Sequence, residues 1–169
     1  MEEDIFQKII QELTDSGVDI PTAQELTKEF NKPINEMYKE QDQYIKKNNI
    51  TLETSDENIF VKLDKEQWIR VMTNLIKNSI QSIPHDRESN IQVKIIESTN
   101  KVKIIVSDNG LGVSNKNREK IFEPKFTTKS DGMGLGLGIV RSIINSHRGK
   151  ISYKSKNNKG TDFTISLPK

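Results

Sequence analysis

Cysteine is absent from this 169-residue chain. That excludes a disulfide scaffold, a thiol nucleophile and any thiolate-ligated metal. Histidine is nearly as scarce: His85 and His147 are the two, far apart in sequence, which argues against a histidine-built metal centre. Charge of one sign is also missing. Lys and Arg number 26 against 24 Asp and Glu, and a formal charge of +2 gives no push toward nucleic acid or an acidic membrane. No apolar run approaches a membrane span, and the start, Met1-Glu2-Glu3-Asp4, is acidic where a secretory signal is basic. The expectation is a soluble, cytoplasmic chain that touches neither membrane nor nucleic acid, any anchor belonging to a longer parent.

Glycine is short in the first half. Gly17 alone precedes residue 110, and four glycines then fall at 132, 134, 136 and 138. Backbone-dependent chemistry is therefore expected in the second half. Although 30% of residues are charged, apolar residues gather in periodic blocks, enough for a real core. Residues 1–48 read as an N-terminal helical arm: Ile5, Phe6, Ile9, Ile10 and Leu13 fall at helical spacing, and a second helix opening near Pro21 is interrupted near Pro33. From residue 49 the pattern becomes that of a folded domain running to 169. Ile50–Thr54 and Ile59–Lys62 read as short strands. Asp64 is an expected helix N-cap, with Gln67 placed as in a capping box. The helix it opens carries Ile69, Met72, Ile76, Ile80 and Ile83 as an apolar stripe and stops before Pro84. Residues 91–97 and 101–107 form an expected hairpin. A short helix near 115–121, a helix over 136–147 and two final strands complete the order. That order predicts an α+β two-layer sandwich: a mixed, mainly antiparallel sheet with helices on one face.

Four segments carry chemistry. Asn74 and Asn78, four apart on the long helix, share a face, and their carbonyl oxygens suit a hard cation such as Mg²⁺. Taken alone, the pair is better read as an ordinary solvated helix face. Asp108-Asn109-Gly110-Leu111-Gly112 follows a strand; it reads either as a turn or as a carboxylate placed to accept from the exocyclic amine of adenine. Phe122 to Lys129 sets two aromatics around a proline, then Thr127, Thr128 and a cation within reach of a phosphate. Gly132-Met133-Gly134-Leu135-Gly136-Leu137-Gly138 leads into a helix and exposes backbone N–H groups where the helix dipole favours anions. It is neither a Rossmann fingerprint nor a Walker A loop.

In this order and at these spacings the four segments resemble the catalytic, ATP-binding domain of sensor histidine kinases, in the GHKL (Bergerat-fold) superfamily. They match its N, G1, F and G2 boxes, and Gly160-Thr161-Asp162-Phe163 is similar to its terminal motif. Asn-Ser-Ile-Gln-Ser and Thr-Thr-Lys look most like the nitrogen-regulatory branch. The resemblance implies that Asp108 binds the adenine amino group and Thr161 assists through water. It implies Asn78 as the Mg²⁺ ligand with Asn74 beside it, and Gly110 and Gly112 as room for the nucleotide. Thr128 and the loop of Gly132, Gly134, Leu135, Gly136 and Leu137 lie by the phosphates, and Lys129 reaches the γ-phosphate. Hydrolytic relatives carry Glu where Asn74 stands, a base that activates water. Asn74 thus points to a kinase with slow ATP hydrolysis. Neither histidine sits in the family's His-Glu-x-x-x-Pro acceptor motif, both being expected at the surface, and Lys28 occupies the acceptor position of Lys28-Glu29-Phe30-Asn31-Lys32-Pro33. The implied partners are ATP or ADP, a histidine-containing dimerisation domain and a response regulator receiver domain, with a dimeric parent. The rival expectations are an anti-sigma-factor-type serine kinase and a non-enzymatic nucleotide-binding module.

Overall fold

The computed structural model describes residues 47–54, 61, 63–127 and 134–169. The expected arm, but for its last two residues, lies outside them. So do Thr128, Lys129 and Gly132, and the strand expected over 59–62 except Val61, which is not in a strand.

The chain runs β1 (Ile50–Thr54), α1 (Lys65–Ser82), β2 (Ile91–Ser98), β3 (Lys101–Asp108), a 3-10 turn (Asn115–Asn117), α2 (Gly136–Ser146), β4 (Lys150–Lys156) and β5 (Gly160–Pro168). The five strands form one open sheet in the order β1-β2-β3-β5-β4. β1 runs parallel to β2 and the other neighbours are antiparallel, so the sheet is mixed and mainly antiparallel. Alternation sets its two faces. In β3, Val102, Ile104, Val106 and Asp108 are buried while Lys101 and Lys103 are exposed. The buried face carries the helices, giving the expected two-layer α+β architecture.

α1 packs on the sheet and also sideways against α2, which itself reaches β4, and this is why α1 buries more than the expected stripe. Val71 and Leu75 are fully buried along with Ile76, and Ile69 and Met72 nearly so. Burying each such side chain contributes about 1.5–3 kcal/mol. The helix starts at Asp64, whose Oδ1 accepts from the amide of Gln67 at 2.9 Å. The return half of a capping box is not made by Gln67. Instead the Asp64 amide donates to Nε2 of His147, at the end of α2, at 3.1 Å. His147 is therefore a half-buried link between helices rather than the expected surface residue.

The expected helix near 115–121 is a short 3-10 helix, Asn115–Asn117, followed by turns. Asn117, Lys120 and Glu123 each donate to the carbonyl three residues earlier. Asparagines and an all-polar run from Ser114 to Lys120 give no apolar stripe to hold a regular helix down. The segment is anchored where that run ends: Ile121 is buried, and Phe122 makes edge contacts with Tyr153 and Phe163 at 6.0 and 6.4 Å between ring centres. Among the described residues no helix is long and apolar enough to cross a membrane.

Candidate functional site

Asp108 ends β3 on its buried face, beneath the last turn of α1. Its Oδ1 accepts from the amides of Gly110 (2.9 Å) and Thr161 (3.2 Å) and, at 3.2 Å, from the hydroxyl of Ser82, whose one proton it shares with the Ser79 carbonyl at 2.8 Å. Its Oδ2 has no hydrogen-bond partner among the described residues. Burial pushes this carboxyl above its ordinary value of 3.8, while the Gly110 amide, the Ser82 and Ser79 hydroxyls and the Thr161 amide pull the other way. Ser79 is close enough to help hold the charge, yet its buried Oγ is in bonding geometry with no group. A nearly buried acceptor oxygen beside a spare hydroxyl is suited to a planar ligand that carries an amine.

Thr161 faces Asp108 directly across β5 and β3. Its hydroxyl lies 3.0 Å from Oγ of Ser155. Ser155 has one hydroxyl proton, given to the carbonyl of Gly160 at 3.0 Å, and it accepts from the amide of Val113 at 2.7 Å. Thr161 is then the donor to Ser155, and its own lone pairs stay available. Between these residues Gly160 has a φ of +100°, and a Cβ there would come within 1.8 Å of the Asp108 carbonyl. The strands close around the carboxylate only because that side chain is missing.

Gly110 and Gly112 make room for the chain itself. A Cβ on Gly110 would meet the Ser82 hydroxyl at 1.9 Å, and one on Gly112 the Lys156 carbonyl at 2.5 Å. On the other side of α1, Asn74 donates through Nδ2 to the carbonyl of Arg70 at 2.8 Å. Its Oδ1 looks onto the start of α2, 2.8 Å from where a Cβ on Gly136 would sit. Asn78 follows one turn later, half-buried. No side chain caps the start of α2, where Leu135 is 39% exposed. Gly134 packs on the backbone of Lys125 and Phe126, and Leu137 against the core. Asp108, Thr161, Gly110 and Gly112 thus form one group. Asn74, Leu135 and Gly136 meet in a second, with Asn78 one turn along α1.

Sequence reasoning missed Ser82, Ser155 and Arg87. Ser79 and Ser82, three apart on the helix, interrupt its apolar side and were a readable signal. Ser155 and Arg87 join the site through long-range contacts, for which a single sequence carries no sign.

The family model of histidine kinase-, DNA gyrase B- and HSP90-like ATPases matches residues 63–169. The chain belongs to this ATPase family. Within it, the histidine kinases are the relatives. The nucleotide-free catalytic domain of histidine kinase ThkA is 35% identical, with a TM-score of 0.67 over 83% of this chain and 92% of that one. The sensor histidine kinase ZraS of Salmonella typhimurium is 44% identical over 109 residues, 64% of this chain and 23% of that protein. Sporulation kinase A of Bacillus subtilis is 40% identical over 124 residues, 72% of this chain and 20% of that protein. The chain thus spans about a fifth of the length of the curated relatives it matches. It carries the catalytic domain of the histidine kinase branch of this ATPase family. The expected fold and family agree with these findings.

Proposed function

We propose that this domain binds Mg–ATP and passes the γ-phosphoryl group to a histidine on a helical dimerisation domain outside residues 49–169. The observation that carries the reading is the Asp108 carboxylate, nearly buried, with Oδ1 held by three donors and Oδ2 without a hydrogen-bond partner among the described residues. Oδ2 accepts from the exocyclic amine of adenine, and Thr161 and Ser79 offer hydroxyls to a bridging water. The uncapped start of α2, with Gly134 and Gly136, takes the phosphates against its N–H groups. Thr128, Lys129 and Gly132, outside the described residues, are assigned to phosphate contact on the resemblance of their sequence segments alone.

Among the described residues no three His, Cys, Asp or Glu side chains gather as metal ligands. A carboxamide oxygen still suits a hard cation whose other ligands are water and phosphate. Asn78 is the residue to hold Mg²⁺, which neutralises phosphate charge when bound. Transfer makes a bond from an imidazole nitrogen to the γ-phosphorus and breaks the bond to the bridging oxygen, releasing ADP. The attacking nitrogen brings its own lone pair, so no carboxylate base is needed to activate water, in keeping with Asn at position 74. Positioning and charge neutralisation are what the site's own residues supply. The product phosphohistidine then serves a response regulator receiver domain. A dimeric kinase and a cytoplasmic setting, where ATP is supplied, go with this reading.

Calorimetry with ADP, followed by transfer of labelled phosphate from ATP to isolated helical dimerisation domains, tests the reading. Binding is expected in the first experiment and a labelled histidine in the second. Binding without transfer to any such domain would favour a nucleotide-sensing module.

A further inference from the structure

The loop from α1 to β2 carries a side chain aimed at the Asp108 pocket from outside. Pro84 stops α1, and its carbonyl accepts from the amide of Arg87 at 3.0 Å, a tight turn that sends Arg87 back toward the sheet end. Nη1 of Arg87 lies 2.5 Å from the Asn109 carbonyl, 3.0 Å from that of Gly110 and 3.5 Å from that of Asn158. The first two belong to the turn after Asp108. The third belongs to the β4–β5 turn, two residues before Gly160 and Thr161.

The Asn109 carbonyl and the Gly110 amide are two ends of one peptide group, which is planar. Arg87 holds the oxygen end, and the N–H end donates to Oδ1 of Asp108. The next peptide is fastened likewise: the Gly110 carbonyl accepts from Arg87, and the Leu111 amide donates to the Ser82 carbonyl at 2.9 Å. Two successive planes are pinned at both ends, and a guanidinium on the far oxygen also makes each N–H a stronger donor. Asn109 adds a second tie to the same loop, donating to the Glu88 carbonyl at 2.8 Å and accepting from the Asn90 amide at 3.0 Å. The Asn158 amide donates to the Leu111 carbonyl at 2.8 Å, so both pocket-bearing turns converge where Arg87 sits.

We infer that Arg87 is a positioning residue for nucleotide binding: it fixes the 109–110 peptide plane and thereby the direction in which Asp108 presents its second oxygen. This rests on the adenine role proposed for Asp108. One permanently charged nitrogen, carried on a long side chain to carbonyls of two turns, is a task for arginine, and the shorter, more strongly hydrated lysine ammonium serves it only in part.

The experiment compares the wild-type chain with Arg87→Met, Arg87→Lys and Asp108→Asn, measuring ADP affinity by calorimetry well below each melting temperature. The NMR shift of the Gly110 amide is followed alongside. Arg87→Met is expected to weaken ADP by about tenfold, one charge-assisted hydrogen bond's worth. The Gly110 resonance should move upfield as its bond to Asp108 loosens. Arg87→Lys should recover part of both. Should Arg87→Met fail to fold, Arg87→Gln, with a shorter amide donor, is read in the same way. Lost binding in Asp108→Asn with unchanged binding in Arg87→Met overturns the role of Arg87 alone. Equal losses in the Met and Lys variants that track their melting temperatures overturn it too, as plain structural damage. Full ADP affinity in Asp108→Asn removes the adenine reading and the role of Arg87 together.

Discussion

The ring of His147, at the end of α2, accepts a hydrogen bond from the backbone amide of Asp64, at the start of α1, at 3.1 Å. An acceptor at Nε2 requires the neutral ring with its proton on Nδ1, and Nδ1 lies 2.9 Å from the carbonyl of Ile143, a fitting acceptor. One imidazole thus satisfies an orphan amide of α1 and joins the Ser146 hydroxyl and its own amide on the Ile143 carbonyl near the end of α2.

Replacing His147 by Phe keeps the ring and removes both hydrogen bonds. Because the link is only half-buried, water takes over part of it, and the expected cost is about 0.5–1.5 kcal/mol in urea unfolding. ADP affinity should not change. A fall in affinity at constant stability would mean that the helix–helix link reaches the nucleotide site.

Asp108→Asn should separate binding from stability. The amide oxygen can still accept from Gly110, Thr161 and Ser82, but an NH₂ group replaces the second acceptor and opposes the adenine amine. ADP affinity is expected to fall at least about tenfold. Stability follows the proton. Burial raises the Asp108 pKa above 3.8 on folding, so the folded chain holds this proton more tightly than the unfolded one. The contribution of this group is fully present below pH 3.8 and is lost as pH rises through the raised pKa. Unfolding curves across that range should show the Asn variant gaining on the wild type toward neutral pH. A constant difference at all pH values would contradict the burial argument.

Two glycines should respond in opposite ways to alanine. At Gly160 the φ of +100° and the Asp108 carbonyl at 1.8 Å are both backbone constraints that no rotamer relieves. The strain alone costs about 1–3 kcal/mol, and the clash adds to it. At Gly138, inside α2, the nearest atom to a new Cβ is 3.7 Å away. Alanine there should stabilise the helix by about 0.5–1 kcal/mol. Thermal unfolding of both variants checks the contrast, and equal shifts would sink it.

Asn78→Ala should weaken ATP binding in the presence of Mg²⁺ more than binding of metal-free nucleotide, because a carboxamide oxygen is a metal donor and not a base contact. Titrations with and without the cation give the comparison. Equal losses in both would move Asn78 out of the metal role.

Much of the frame was legible because it depends on neighbours in sequence. The alternation in Lys101–Asp108, the cap at Asp64 and the strand end placing Asp108 before Asn109-Gly110 all follow from local periodicity and turn chemistry. The expected helix near 115–121 is shortened to the 3-10 helix Asn115–Asn117, because a polar run has no face whose burial would hold a longer one. The four chemical segments were each ambiguous alone, and only their order spoke for a nucleotide site.

By itself the sequence determined the α+β layering and the buried side of the last strand at Phe163, Ile165 and Leu167, since these depend on spacing along one chain. The tertiary structure alone decided that Thr161 stands opposite Asp108, that Ser155 and Arg87 serve the same pocket and that His147 completes the cap of α1. Those pairs lie tens of residues apart. Their hydrogen bonds arise only after the β3–β5 register and the packing of α2 on α1 bring the partners together, and no local rule encodes such a meeting.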